Sequence, residues 1–281
     1  MFINLVRIGL IRLFKGSRFI YGVLLALFFL LFIVFCLELM YLFEEEITVT
    51  LEGGGLQLAQ YIGFNIGVEA GLLFCMYSTV CFVCDYYKYR QKINIEGMIR
   101  SRSKICLSEI CALFIFSMFC GLLAPVTGML GILVDGTEEI LLFEYPVTFL
   151  EVTAAGGVMI FVMSLPVFFC AKLFRKKAIS MAMYIVCYFI SILAILFAMG
   201  YNTAFMLGVA SGTHSAAAET NPAPDAIELV TVFLFPGNHL HSYATGTPSD
   251  VPLMVIFFAL FVNITFWSVL SVLASRRDTQ I

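Results

Sequence analysis

Three carboxylates lie within apolar stretches that are long enough to cross a membrane: Glu38, Glu69 and Glu151. An acid inside a membrane is expensive to keep and is by default a functional candidate. All three fall in the outer third of their predicted helices, and Asn65 precedes Glu69 by one helical turn on the same face. They could line an outward vestibule that favours cationic or amphipathic substrates. They could equally reach the outer interface and only extend an acidic surface.

Other chemistry-bearing residues form weaker patterns. Cys81 and Cys84 form a Cys-x-x-Cys motif without a second pair nearby, and we interpret them as buried apolar thiols. His239 and His241 lie two residues apart, which favours interfacial polar residues over a metal site. The chain contains no phosphate-binding loop, no Gly-x-Ser-x-Gly and no His-Glu-x-x-His motif. We therefore expect no enzyme activity, metal or cofactor in this chain.

Composition limits the class of protein. The chain has 281 residues, of which 61% are hydrophobic and 12% charged, and its mean hydropathy is +0.99. Soluble domains are about 45–50% apolar and about 25% charged. A water-soluble domain and a disordered chain are both excluded, because too little polar surface is available. We expect residues 1–281 to form a single, all-α, polytopic transmembrane domain.

The basic residues predict which segments face the cytoplasm. All 16 Lys and Arg fall into four clusters, within 7–18, 88–104, 172–177 and 276–277. Short basic loops stay in the cytoplasm. Each stretch between two clusters must therefore leave the cytoplasmic side and return to it, and its length allows two crossings of the membrane. The intervening acidic segments are predicted to face outward.

Six membrane-spanning helices follow, with both termini in the cytoplasm. Their predicted bounds are 19–43, 62–84, 105–133, 147–171, 178–200 and 251–275. Pro125, with Gly121 and Gly128, is expected to kink or break the third span near its outer end, and Pro166 is expected to kink the fourth.

Two further segments are predicted to be helical without crossing the membrane. In residues 1–18, basic side chains occupy one arc and apolar side chains the opposite arc, which is typical of an amphipathic helix at the membrane interface. A signal peptide is the alternative. The extracellular loop 201–250 carries an apolar stripe ended by Phe235-Pro236-Gly237, which predicts a short re-entrant helix from the outer side.

Small residues mark a packing face on the second span. Gly63, Gly67 and Gly71 recur every four residues, on the side opposite Asn65 and Glu69. Such a stripe lets two helices approach closely. The second span is therefore predicted to be packed on one side and polar on the other, with its partner either in this chain or in a second copy.

The cytoplasmic segment 88–104 is amphipathic, basic and too long for a simple turn. With its flanks it resembles the inner loop of type-2 ABC exporter permeases, in which an acid closes the second span and Ser-Arg precedes an Ile-x-Leu-Ser stretch. Asp85 matches the acid, Ser101-Arg102 matches the Ser-Arg pair, and Ile105-Cys106-Leu107-Ser108 matches the tail. The chain departs at Glu109, where many members have Lys, and at Ile99, where a Gly is usual.

The resemblance implies a function and its partners. Segment 88–104 would be the coupling helix that docks on a separate ATPase, which would hold ATP and Mg²⁺. The implied complex has two permeases, as identical copies or paralogues, and two ATPases. This complex would lie in the lipid of a cell membrane, as in the bacterial plasma membrane. It would bind no nucleic acid. The candidate coupling residues are Asp85, Lys88, Arg90, Lys92, Glu96, Arg100, Arg102 and Lys104.

Two other classes remain open at this point. An ion-coupled carrier working alone would need buried acids near the midplane of the membrane. A non-transporting anchor, sensor or immunity protein would have no ATPase partner. The exporter hypothesis implies an outward-moving substrate of peptide, lipid-like or drug-like character.

Overall fold

The computed structural model is helical throughout the secondary structure that it describes, and no strand occurs there. The described residues are 2–14, 20, 24, 27, 31, 55–88, 101–134, 145–190, 230–237, 239–240 and 251–276. The principal helices are α1 (Phe2–Phe14), α2 (Gly55–Lys88), α3 (Arg102–Gly121), α4 (Leu123–Val134), α5 (Tyr145–Phe174), α6 (Lys177–Ile190) and α7 (Leu253–Arg276).

Four stretches of helix are long and apolar enough to cross a membrane: Ile66–Tyr87, Arg102–Met129, Phe149–Phe174 and Leu253–Ser275. They correspond to the second, third, fourth and sixth predicted spans. The first predicted span, 19–43, lies largely outside the described residues. The fifth is represented by the shorter apolar helix α6. The chain is therefore a helical protein with four candidate spanning helices, and the count of six stays a prediction.

The third predicted span divides into two helices close to Gly121 and Pro125, where a kink or break was expected. Helix α3 ends at Gly121 and α4 starts at Leu123, and Leu122 between them keeps helical dihedral angles (φ −61°, ψ −21°). The Leu122 amide donates to the Phe119 carbonyl at 3.2 Å, which tightens the last turn of α3. Pro125 lies in the first turn of α4, where its missing N–H costs little. Pro166, in contrast, lies inside α5, which stays helical through Phe174.

The glycine stripe of α2 packs within this chain. A Cβ on Gly67 would lie 2.5 Å from the Ala124 Cα, and one on Gly71 would lie 2.8 Å from the Cys120 carbonyl oxygen. Real Cβ atoms do not approach so closely, so α2 touches the α3–α4 junction backbone to backbone. The surroundings of Gly63 lie outside the described residues. The partner that the sequence left open is therefore the chain's own third span.

The centre of the bundle is formed by α2, α3 and α5, which all contact one another. Their largest fully buried side chains include Leu72, Met76, Leu113, Phe116, Leu165 and Phe168. Phe74 and Phe116 meet edge to face, with ring centroids 5.4 Å apart. Since these helices are apolar on most faces, shape and small residues rather than amphipathicity select the contacts.

Helix α1 packs lengthwise along α3. A Cβ on Gly9 would lie 2.9 Å from the Ala112 Cβ, and the Phe14 ring meets the Phe116 ring at 5.1 Å. The described helix is thus shorter than the predicted 1–18 segment and has a protein partner along part of its length. A position in the membrane interface stays a prediction for its first turns, where Ile3 and Arg7 are exposed.

The end of the predicted loop 201–250 contacts the middle of the bundle. Residues 230–234 are helical, and a Cβ on Gly237 would lie 2.6 Å from the Met159 Cα of α5. Asn263 of α7 donates its side-chain N–H to the Phe233 carbonyl at 2.6 Å. Met159 is ten residues inside the apolar stretch that begins at Phe149. This depth fits the predicted re-entrant segment, whose direction of entry stays a prediction.

Candidate functional site: a charged cluster at one end of the bundle

Described members of three basic clusters lie at one end of the bundle, close to Tyr86 of α2. Arg12 and Lys172 contact the Tyr86 ring, and Arg102 lines a cleft with it. Ser275, which precedes the fourth cluster, lines the same cleft. That this end faces the cytoplasm stays a prediction.

A buried ion pair lies at the centre of this end. The Lys172 ammonium of α5 donates to the Glu109 carboxylate of α3, and the two residues are only 3% and 5% exposed. The ammonium also lies 5.4 Å from the ring centroids of Tyr86 and Phe168. Two buried charges are tolerated when they neutralise each other and have further polar or aromatic contacts. Here the pair joins α3 to α5, with α2 contributing an aromatic wall.

Sequence reasoning noted both residues without pairing them. Glu109 was a departure from the exporter pattern, and Lys172 was one member of a basic cluster. One signal could have found the pair: Glu109 is an acid just inside the inner end of its predicted span, on the side where other segments are basic. An isolated charge there needs a partner at the same depth, and Lys172 ends the fourth predicted span.

Two more cations contact the adjacent tyrosines that close α2. The Arg12 guanidinium donates to the Phe82 carbonyl at 3.1 Å and lies 4.5 Å from the Phe82 ring centroid and 4.9 Å from that of Tyr86. The Arg175 guanidinium lies 5.3 Å from the Tyr87 ring centroid. Cation–π contacts of this kind hold long basic side chains against a helix. Helices α1 and α5 are thereby fastened to the last turn of α2.

The candidate coupling residues lie on both sides of this cluster. Asp85 is buried in the last turns of α2, Arg102 is half-buried at the start of α3, and Lys104 is exposed. The backbone of Lys88 ends α2. Four candidates lie outside the described residues: Arg90, Lys92, Glu96 and Arg100.

A narrow cleft connects the start of α3 to the ion pair. It is lined by Tyr86, Tyr87, Arg102, Ile105, Cys106, Lys172 and Ser275. Arg102 precedes Glu109 by two helical turns on the same helix face. The first turn of α3 has no side-chain cap at Ser101, although the Ile105 amide reaches the Ser101 carbonyl at 3.4 Å. A force on the 88–104 segment would thus act directly on the helix that carries Glu109.

The other candidate set, the outer acids, occupies mixed environments. Both carboxylate oxygens of Glu69 are buried. The Tyr188 phenol of α6 is the polar group that faces the carboxylate, at the margin of hydrogen-bond geometry. Glu151 is exposed on α5. Glu38 and the side chain of Asn65 lie outside the described residues.

Helix α6 faces α2 through residues spaced four apart. Ser180 interacts with Cys84, Tyr184 with Tyr77, and Tyr188 with Glu69. As numbering rises along α6 it falls along α2, so the two helices run antiparallel. Tyr184 and Tyr188 stack with centroids 6.4 Å apart. The polar face predicted for the second span therefore meets a tyrosine-bearing face of the fifth.

His239, one of the two weak metal candidates, has a structural environment. Its Nε2 lies 3.2 Å from the Thr231 hydroxyl oxygen, and burial lowers the pKa of the imidazole from its ordinary value. In the part of the chain that the structure describes, no three His, Cys, Asp or Glu side chains are grouped to hold a metal ion. The imidazole instead fixes the short 230–234 helix to the residues that follow it.

No protein-family model matches this chain, and no curated protein matches it significantly. The resemblance to exporter permeases therefore rests on the residues of the inner segment and on the order of helices that the sequence predicts.

Proposed function

We propose that this chain is the membrane-spanning permease subunit of an ATP-driven ABC exporter. It would move a peptide, lipid-like or drug-like substrate outward, using ATP hydrolysis in a separate ATPase subunit. The observation that carries the proposal is the direct path from the candidate coupling segment to the buried Glu109–Lys172 pair. The segment leaves α2 after the tyrosines that contact Lys172 and Arg175, and it enters α3 at Arg102.

This arrangement suits the transmission of a rigid-body movement. A displacement of the segment would reach α2 at Tyr86 and Tyr87 and α3 at Arg102, while α5 would follow through Lys172. Helix shifts at such packed contacts move as units, because close-packed side chains do not deform continuously.

The test is recovery of an ATPase with the tagged chain from its native membrane in mild detergent, identified by mass spectrometry. We expect a stoichiometric companion that carries a phosphate-binding loop, and ATP turnover in the eluate. Reversal of charge at two coupling residues, Arg100→Glu with Arg102→Glu, should release this companion. The control is Arg100→Lys with Arg102→Lys, which keeps both charges.

The outcomes separate clearly. A companion ATPase held by the Lys control but lost from the Glu variant supports the exporter and its coupling segment. Wild-type stoichiometry in the Glu variant would show that docking occurs elsewhere. A single clean band from wild-type protein would contradict the exporter proposal.

One observation favours a second candidate, an ion-coupled carrier. A carboxyl buried inside a membrane helix bundle, such as that of Glu69 beside the Tyr188 phenol, is a feature of proton and ion pathways. Proteoliposomes holding this chain alone, with an entrapped pH-sensitive dye, would test it. Proton flux that is abolished by Glu69→Gln and kept in the exposed-site control Glu151→Gln would favour the carrier. Absence of flux in the wild type would exclude a proton-coupled one.

A further inference from the structure

A cavity of about 360 Å³ lies at the same end of the bundle, beside the ion pair. It lies between the last turns of α2 and the connection from α5 to α6. Among the described residues, Cys84, Asp85, Tyr87, Arg175 and Lys177 line it. Its volume is at the lower end of the range of small-molecule sites, about 300–1,000 Å³.

The depth of the cavity matches the level of lipid head groups. The apolar stretches of α2 and α5 end at Tyr87 and Phe174, and the cavity begins there. Phe174 and Ile179 flank it in sequence, and both are at least 40% exposed. Apolar surface next to charged groups is what a lipid meets where hydrocarbon gives way to water.

The charges of the lining are divided between two walls. Arg175 of the α5–α6 connection and Lys177, the first residue of α6, supply the cations, and α2 supplies the carboxylate of Asp85. Arg175 has a left-handed backbone, with φ 57°, and its amide donates to the Ala171 carbonyl at 3.0 Å. Its guanidinium rests on the Tyr87 ring. This helix-ending bond fixes the backbone of Arg175 directly after α5.

We propose that this cavity binds the head group of a zwitterionic, amine-bearing phospholipid. Arg175 and Lys177 bind the phosphodiester, for which a guanidinium is well suited, and Asp85 accepts hydrogen bonds from the primary ammonium. Basic pockets between membrane helices are known head-group sites. The carboxylate adds selectivity, because a purely anionic head group would be repelled by it. The proposal does not depend on transport or on an ATPase.

The first test uses purified wild-type protein, delipidated in detergent and then titrated with defined lipids under native mass spectrometry. Phosphatidylethanolamine should bind about tenfold more tightly than phosphatidylglycerol, which lacks the ammonium, since one charge-assisted contact is lost. Phosphatidylcholine should also bind more weakly, because its quaternary ammonium cannot donate a hydrogen bond to Asp85. Equal binding of all three lipids would overturn the proposal without any variant.

Variants then locate the site. Arg175→Gly with Lys177→Gln removes both cations while keeping a residue that accepts the left-handed backbone. It should weaken phosphatidylethanolamine binding by about tenfold or more. Asp85→Asn should reduce the preference for phosphatidylethanolamine over phosphatidylglycerol. The control is Lys176→Gln, an exposed neighbour that does not line the cavity. Unchanged lipid binding in the double variant would overturn the assignment.

A last experiment distinguishes a lipid from a soluble ligand that carries the same phosphodiester and ammonium groups. Glycerophosphoethanolamine carries the same phosphodiester and ammonium without acyl chains. It should displace the lipid only weakly, because the flanking apolar surface contributes to binding. Full displacement at equal concentration would assign the cavity to a soluble phosphodiester and overturn the lipid proposal.

Discussion

Lys172 of α5 and Glu109 of α3 form an ion pair that is almost completely enclosed by the bundle. The two residues are 63 positions apart in the chain, and no hydrophobic pattern links them. Their pairing fixes the relative depth of two spanning helices, because a shift of one turn would leave both charges buried without partners. The consequences can be measured.

Removing one charge of the Glu109–Lys172 pair should destabilise the protein far more than removing both. Lys172→Met leaves Glu109 buried alone and should lower the free energy of unfolding by about 3–5 kcal/mol. Lys172→Met with Glu109→Gln should recover most of that loss. Denaturant titration in mixed micelles measures both, with Lys104→Met as an exposed control. A double variant as unstable as the single one would show that the pair does not act as a unit.

The contact between α2 and the α3–α4 junction should be intolerant of a methyl group. Gly67→Ala places a Cβ 2.5 Å from backbone atoms, so one of the helices must shift. We expect a loss of about 1–3 kcal/mol in the free energy of unfolding. Gly156→Ala is the matched control, because its nearest neighbour is a Val68 side-chain atom at 3.1 Å. Similar losses in both variants would argue against a special approach at Gly67.

Arg12 should matter to the attachment of α1 in a way that Arg7 does not. Arg12→Ala removes the bond to the Phe82 carbonyl and two ring contacts, with an expected loss of about 1.5–3 kcal/mol in the stability of that attachment. Hydrogen–deuterium exchange of residues 2–14 is the measurement. Arg7→Ala, at an exposed position of the same helix, should leave exchange unchanged. Equal exchange in wild type and Arg12→Ala would refute the attachment.

The 230–240 segment should loosen in acid. Burial lowers the pKa of His239 in the folded state, so the unfolded state binds the proton more tightly. The attachment is therefore at full strength above the unfolded pKa of about 6.5, and weakens as the pH falls through that value towards the folded pKa. The measurement is the exchange protection of residues 230–237 at pH 7.5 and 5, each corrected for the intrinsic rate of amide exchange at that pH. His239→Gln should abolish the pH dependence of this protection, whereas His241→Gln should keep it.

Hydropathy and the spacing of small residues were sufficient to predict several of the helices and the packing face of α2. The apolar runs predicted α2, α5 and α7 to within several residues, and Pro125 with its glycines predicted a break close to Leu122. The division of α2 into a glycine face and a polar face is also present, with Gly67 against α4 and Glu69 towards α6. These features depend on local chain properties, which a single sequence contains.

Tertiary partners were harder to predict. A helical wheel places Arg12 with Arg7 on one basic face. The structure instead turns Arg12 towards Phe82 and Tyr86, since two aromatic rings and a backbone carbonyl offer a guanidinium better contacts than lipid does. Glu109 and Lys172 lie on separate helices. Hydrophobic periodicity predicts the helix face on which each residue lies, but it does not predict which residue of another helix it contacts. The cavity at Arg175 and Lys177 likewise depends on how α5 ends against α2.

The turn at Leu122 has a mechanical consequence. The inner half of the third crossing is tied to α5 through Glu109, and the outer half is tied to α2 through the close approach at Gly67. Leu122, between the two halves, keeps right-handed helical dihedral angles (φ −61°, ψ −21°), and its carbonyl accepts the Val126 amide at 3.4 Å. The helical path therefore bends without breaking. A slide or rotation of α2 against α5 is then passed along the whole third crossing, which acts as a strut between the two helices and not as a hinge.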